Sequence, residues 1–194
     1  MTCGIILAAG ESRRMGSAKA LLEFQGETFL DRLIGLFARR CSPVIAVLGA
    51  DREIVHAGVR RAGEAILMLN PDYRLGQFTS MQCGLRAVPG DAEGVLFTLV
   101  DHPAVMPATI SGLLDSGVPA RLRIPRFNGR RGHPIWFSTA LIPEFLALPT
   151  SSSAKEVVTR HARDIAYIDV DDPGILADVD DPAAYAKLLA GSLA

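Results

Sequence analysis

Near the amino end the run Cys3-Gly4-Ile5-Ile6-Leu7 breaks into Ala8-Ala9-Gly10, and this junction constrains the chain more than any other stretch. A continuous apolar run leaves no side for water, so it predicts a strand covered on both faces, as in a parallel sheet between helix layers. The small residues after it let the backbone turn tightly and approach a ligand. Ser12, Arg13, Arg14 and Lys19 then add a hydroxyl, two planar guanidinium forks and a point-charge ammonium. Bare N–H groups beside cations of both geometries suit a polyphosphate. Two familiar phosphate loops are excluded. Five residues separate Gly10 from Gly16 and Lys19 lies three beyond the second glycine, which does not fit the P-loop, and GxGxxG is absent.

The same grammar continues downstream. Glu27–Arg40 carries Phe29, Leu30, Leu33, Ile34 and Phe37 at helical spacing, with acid at its start and arginines at its end, as a helix dipole favours. Pro43–Leu48 predicts a strand, Asp51–Ala62 a helix, Ala65–Leu69 a strand and Thr79–Val88 a helix. Gly94–Val100 is a clear buried strand ending at Asp101-His102-Pro103, and Pro107–Ser116 a helix. Arg121–Phe127 and Ile135–Ser138 predict strands flanking the Gly129–Pro134 loop. Leu141–Ala147 and Ala154–His161 predict helices, Ile165–Val170 a short strand and Pro182–Ala190 a closing helix. Strands alternating with helices predict an α/β fold: one three-layer αβα, Rossmann-like domain over residues 1–194 around a mostly parallel sheet.

Composition narrows the function. At 194 residues the chain can bury about 70% of its unfolded surface and needs no staples. Twenty Lys and Arg against 21 Asp and Glu leave no basic field to draw nucleic acid. Cys3, Cys41 and Cys83 are odd in number and far apart, with no CxxC, which fits a reducing cytoplasm better than a disulfide framework or a structural zinc. The opening apolar run is too short to span a membrane and lacks the pattern of a signal peptide. The expectation is a soluble, cytoplasmic protein without nucleic-acid or membrane partners.

Two acidic positions stand out. Asp101 follows an apolar strand at its carboxyl end, the edge where open α/β sheets bind ligands. A carboxylate there can hold Mg2+ beside substrate phosphates or cap the turn into Pro103. Asp178 and Asp180, two apart in an extended segment, share one side of it, while Asp181 before Pro182 can cap the last helix. Thr79 and Ser80 can cap a helix or donate to a ligand. His133 and the loop arginines Arg130 and Arg131 can face water or a substrate.

The full string Leu7–Lys19, LAAGESRRMGSAK, resembles the LA(A/G)GxSxRMGxxK signature of the nucleotidyltransferases related to molybdenum cofactor guanylyl- and cytidylyltransferases, with every fixed position filled. Further elements follow in family order. NPDYRLGQFTSMQCGL (70–85) is similar to the NPxxxxGxxxSxxxGL cradle, LVDHP (99–103) to the metal-binding LxDxP, GRRGHP (129–134) to GxxGHP and DVDDPAAY (178–185) to DIDTPEDY. The resemblance implies a fold of the nucleotide-diphospho-sugar transferase type and transfer of a nucleoside monophosphate from an NTP to a phosphate-bearing acceptor, with release of pyrophosphate. It implies a nucleotide site of Leu7, Ala8, Ala9, Gly10, Ser12, Arg14, Lys19, Gly76, Thr79 and Ser80, with Arg14, Lys19 and Asp101 catalytic. It implies Mg2+ on Asp101 and Asp180, with Asp178 in reserve, and an acceptor side at His133 and Arg131. His102 is expected to be structural.

Ala9 stands where guanylyl-transferring relatives carry glycine, so CTP is the expected donor. A molybdopterin-type acceptor, with a molybdoenzyme as downstream partner, follows from the same resemblance. One departure bears on that acceptor: LPTSSSAKE (148–156) replaces the GDxGAR of cytidylyltransferase-like relatives, losing its aspartate and putting Lys155 where arginine would stand. The alternatives are a sugar- or alcohol-phosphate nucleotidylyltransferase and a non-catalytic, cofactor-binding maturation factor. The latter would be marked by loss of Lys19 or of a metal carboxylate.

Overall fold

The computed structural model describes residues 1–191; the last three positions of the expected 1–194 domain lie outside the described residues. The chain begins with β1 (Thr2–Ala8), then a small hairpin of β2 (Glu23–Phe24) and β3 (Glu27–Thr28), and α1 (Phe29–Ala38). Next come β4 (Val44–Leu48), α2 (Arg52–Gly58), β5 (Ile66–Leu69), α3 (Gln77–Leu85), β6 (Gly94–Leu99) and α4 (Pro107–Asp115). The remainder comprises β7 (Leu122–Phe127), β8 (Arg130–Arg131), β9 (Ile135–Ser138), α5 (Ile142–Ala147), α6 (Ala154–Arg160), β10 (Ile165–Asp169) and α7 (Pro182–Leu189). Among the described residues no helix is long and apolar enough to cross a membrane.

The main sheet runs β10-β7-β9-β6-β1-β4-β5, with β8 paired to β7. β6, β1, β4 and β5 are parallel neighbours, as are β10 and β7, whereas β9 runs antiparallel to both β6 and β7. The mostly parallel sheet is therefore as expected, with one reversed strand where the chain doubles back. Alternation along each buried strand sorts the core into two layers. Ile6 and Ala8 of β1 and Ala46 of β4 face α1, α2, α4 and α7, while Cys3, Ile5, Leu7, Ile45 and Val47 face α3, α5 and α6.

Several boundaries moved: the helix expected over 51–62 ends at Gly58, where the Val59 N–H still closes on the Val55 carbonyl, and the helix expected to reach Val88 ends at Leu85. Two helix starts moved for local reasons. The helix expected over 27–40 begins at Phe29, because Thr28 caps it: its Oγ1 accepts from the Asp31 N–H at 3.1 Å, and Glu27-Thr28 pair as strand with Glu23-Phe24. The helix expected from Thr79 begins at Gln77, after Gly76 at φ +120°.

The chain leaves β1 for β4 and β5 on one side, then returns to lay β6 on the other side of β1. That reversal opens a crevice at the carboxyl ends of β1 and β6. The signature loop and Asp101 emerge there.

Candidate active site

The signature loop is closed by its own serine. Ser12, at φ +47°, has a main-chain oxygen accepting from Met15 and Gly16, and its Oγ accepts from the Lys19 N–H at 3.1 Å. Gly10 has no atom within 4 Å of where a Cβ would sit, so the space over this turn is left open toward the crevice. Gly49 does the reverse. A Cβ there would stand 2.6 Å from the Ala9 oxygen and 2.7 Å from Tyr73 Cβ, so its absence lets the β4 turn seat the loop from behind.

Asp101 ends the β6 turn and faces the segment Asp178–Asp180. The Val179 N–H donates to the Asp101 carbonyl at 3.0 Å and its side chain is buried, so the two flanking carboxylates turn toward Asp101. The cations complete the site. Lys19 Nζ donates to Asp180 Oδ1 at 2.6 Å and stands 3.5 Å from Asp101 Oδ2, while Arg14 holds Asp180 Oδ2 at 2.6 Å. These ammonium and guanidinium hydrogen bonds keep Asp180 below the usual carboxylate range. Burial pushes Asp101 up, opposed by Lys19, and desolvation with repulsion from Asp101 and Asp180 raises Asp178. Desolvation brings His102 down to about 4 and His133, stacked on it with ring centroids 4.8 Å apart, down to about 3. Both imidazoles are therefore neutral near pH 7.

A cavity of about 280 Å³ lies over this loop. Eight of the ten expected nucleotide residues line it: Leu7, Ala8, Ala9, Gly10, Ser12, Arg14, Lys19 and Ser80. Gly76 lines a neighbouring cavity instead, and Thr79 lines neither, its Oγ1 donating to the Gly76 carbonyl at 2.8 Å and accepting from Asn70. The neighbouring cavity, about 530 Å³, is walled by aromatic and aliphatic side chains with His133. Among the described residues Lys155 is its one charged lining side chain. Arg131 lines neither space; it is exposed, over the Tyr167 ring.

Three contributors escaped the sequence. Tyr73 and Gln77 line the cavity over the signature loop; their proximity depends on how the Asn70–Leu85 segment folds back. Asn70 is buried and fastens that segment, donating to Thr79 and Ser80 at 2.9 Å each and accepting from the Asp72 N–H. An Asn-Pro turn before a helix was the available signal.

The residues fit a divalent cation. Asp101 Oδ1 is buried and has no hydrogen-bond partner, a costly state for a carboxylate oxygen that a metal bond would relieve.

Residues 4–165 match the MobA-like NTP transferase domain. The chain belongs to the MobA-like NTP transferase family. It is a nucleotidyltransferase by that membership, with the nucleotide-diphospho-sugar transferase fold. It is 29% identical over 196 residues to nicotine blue oxidoreductase of Paenarthrobacter nicotinovorans, covering 96% of this chain and 95% of that protein. It is 28% identical over 181 residues to molybdenum cofactor cytidylyltransferase of Escherichia coli (strain K12), covering 92% and 90%. A structure of Rv0371c from Mycobacterium tuberculosis H37Rv in complex with manganese superposes with a TM-score of 0.80 at 25% identity, covering 97% of this chain and 98% of that one. Family members of near-equal identity thus carry different activities, and the acceptor must be argued from the second cavity.

Proposed function

We propose that this nucleotidyltransferase moves CMP from CTP onto the phosphate of a molybdopterin-type acceptor and releases pyrophosphate. One observation carries the reading: Lys19 and Arg14 converge on Asp180, opposite Asp101, in the cavity beneath the signature loop. Two cations held on one carboxylate can be handed to a triphosphate, whose charge outbids a single Asp. Arg14 and Lys19 then neutralise the β- and γ-phosphates and the departing pyrophosphate. The open backbone at Ala9-Gly10 and the Ser80 hydroxyl contact the nucleoside and its phosphates. A phosphate oxygen of the acceptor attacks the α-phosphorus in line; a new P–O bond forms, the Pα–O bond to the β-phosphate breaks, and pyrophosphate leaves. No protein nucleophile takes part, as expected where positioning and charge dominate.

Asp101 and Asp180, once the cations have moved to the phosphates, would hold a divalent ion, Mg2+ by the resemblance and with the manganese complex of Rv0371c as a parallel. When bound, such an ion supplies Lewis-acid polarisation of phosphoryl oxygens. The adjoining cavity takes the acceptor body. It shares Leu7, Gln77 and Leu99 with the nucleotide cavity, so two substrates meet at one wall. Its apolar and aromatic lining suits a flat ring system, with neutral His133 available as a hydrogen-bond partner and Lys155 near the Thr150–Ser153 loop available for an anion. Ala9, lining the nucleotide cavity, narrows the base pocket toward a pyrimidine.

The test is pyrophosphate release from each of four NTPs with molybdenum cofactor as acceptor. CTP is expected to lead, and Asp101→Ala to lower turnover at least about a hundredfold, the scale for losing one transition-state contact. Unchanged turnover in that variant would remove Asp101 from the mechanism, and no release from any pair would overturn the reaction.

A further inference from the structure

The two cavities meet at a narrow partition. Among the described residues only Leu7, Gln77 and Leu99 line both. Leu7 of β1 and Leu99 of β6 offer hydrocarbon alone. Gln77 is the one member with hydrogen-bonding groups: two N–H donors and a carbonyl acceptor, without charge. It opens α3, and the first turn of that helix is divided between the two spaces, with Phe78 lining the second cavity and Ser80 the first. That turn is firmly placed. Phe78, Thr79 and Ser80 are buried, and Asn70 donates to both hydroxyls at 2.9 Å. Gln77 itself is exposed, so a fixed backbone carries a free amide to the junction of the cavities, and substitutions of such a side chain move stability little.

In the proposed transfer a phosphate oxygen of the acceptor must close to about 3–3.5 Å from the α-phosphorus before it attacks. Both groups are anionic, so the approach is repulsive unless donors stand between them. Arg14 and Lys19 are assigned to the β- and γ-phosphates and the departing pyrophosphate. We propose that the Gln77 amide bridges the two substrates, donating one N–H to the α-phosphate and the other to the acceptor's phosphate, and so sets the line of attack. Gln77 gives up no proton and forms no covalent bond; it aligns two anions. A carboxylate at the same place would repel both, and an aliphatic side chain would hold neither. This rests on the transferase reading and adds to it the side chain that brings the two substrates into register.

The experiment uses the full chain with MgCl2, CTP and molybdenum cofactor, and reads pyrophosphate release in Gln77→Ala, Gln77→Glu and Gln77→Asn. Gln77→Ala is expected to lower kcat about a hundredfold, the scale for losing one transition-state donor. KM for CTP should change by less than about threefold, because the contact matters only when both substrates are aligned. Tm should not move. Gln77→Glu keeps the shape and reverses the electrostatics, so it should be slower than Gln77→Ala, whereas a residue that merely shaped the wall would give the opposite order. Gln77→Asn, an amide on a shorter stem, should fall between Gln77→Ala and the unaltered protein. Full turnover in Gln77→Ala, a Gln77→Glu variant faster than Gln77→Ala, or a loss of turnover matched by a fall in Tm would overturn the proposal and leave the transfer reaction standing. No release from the unaltered protein with any of the four NTPs would instead remove the transferase reading, and this role of Gln77 with it.

Discussion

Lys19 Nζ donates to Asp180 Oδ1 at 2.6 Å, joining the start of the chain to its end across 161 positions. The ammonium side chain is 13% exposed and the carboxylate 37%, so this pair is shielded more than a surface ion pair and far less than a core one. Such a contact is strong enough to hold Lys19 in place and weak enough to exchange when a triphosphate offers more charge. Lys19→Ala is therefore expected to lower kcat/KM for the NTP at least about a hundredfold. It should also shrink the rise in Tm that inorganic tripolyphosphate gives the unaltered protein, since a ligand stabilises only as far as it binds the native state. Arg14, exposed on the same carboxylate, should show a smaller effect in both assays. An undiminished Tm shift in Lys19→Ala would mean that the polyphosphate binds elsewhere.

In the proposed reading, Ala9 sets the base preference. Its side chain is buried at the wall of the nucleotide cavity, and its carbonyl accepts from the Ala50 N–H at 3.1 Å, so the loop cannot shift outward to make room. Ala9→Gly removes one methyl from that wall and should raise GTP use relative to CTP by about tenfold, within the 1–3 kcal/mol that one such group commands. Competition between the two nucleotides in a single assay reads the ratio directly. A preference that does not move would take Ala9 out of the base pocket.

What was legible in the sequence was local. Runs such as Cys3–Leu7 and Gly94–Leu99 are buried on both faces, so apolarity alone marks β1 and β6, and the turns after them carry the signature loop and Asp101. Strand direction is not local. Ile135–Ser138 was readable as a strand, but its antiparallel place between β6 and β7 depends on the return path of the chain. The hairpin of β2 and β3 is held by Gln25 and Gly26 at φ +54° and +83°, and Gln is not a residue that announces a left-handed turn. Thr28-x-x-Asp31 was a readable cap and would have moved the start of α1 to Phe29. The stacking of His102 on His133 and the Val179–Asp101 hydrogen bond join distant segments, and no spacing rule reaches across such gaps.

Asn70 ties the turn after β5 to the first turn of α3. It is 3% exposed, with two donors committed to Thr79 and Ser80 and its oxygen to the Asp72 N–H. Asn70→Ala leaves those hydroxyls and that amide short of a partner in the interior and should cost about 2–4 kcal/mol of stability. Urea unfolding would read this as a lower midpoint at unchanged slope. Because Ser80 lines the nucleotide cavity, KM for the NTP should rise as well. A fall in stability with KM unaltered would confine Asn70 to the fold.

Cys3 and Cys41 supply a pH signature that is separate from the site. Burial pushes each thiol up to about 12, from 9.0 in an open chain, whereas Cys83 is raised less and is partly accessible. Above pH 9 the unfolded chain releases thiol protons that the native state keeps, so the unfolded form binds fewer protons and stability must fall as pH rises. The contribution is intact below pH 9 and is lost progressively toward 12. Urea midpoints at pH 8 and pH 10.5 should therefore diverge, and Cys41→Ala should reduce that divergence after allowance for its own cavity cost at pH 8. In the native protein at pH 8 a thiol reagent should modify Cys83 and spare the other two, because the attacking species is the exposed thiolate. Rapid modification of Cys3 or Cys41 under native conditions would contradict the burial of both β1 and the turn before β4.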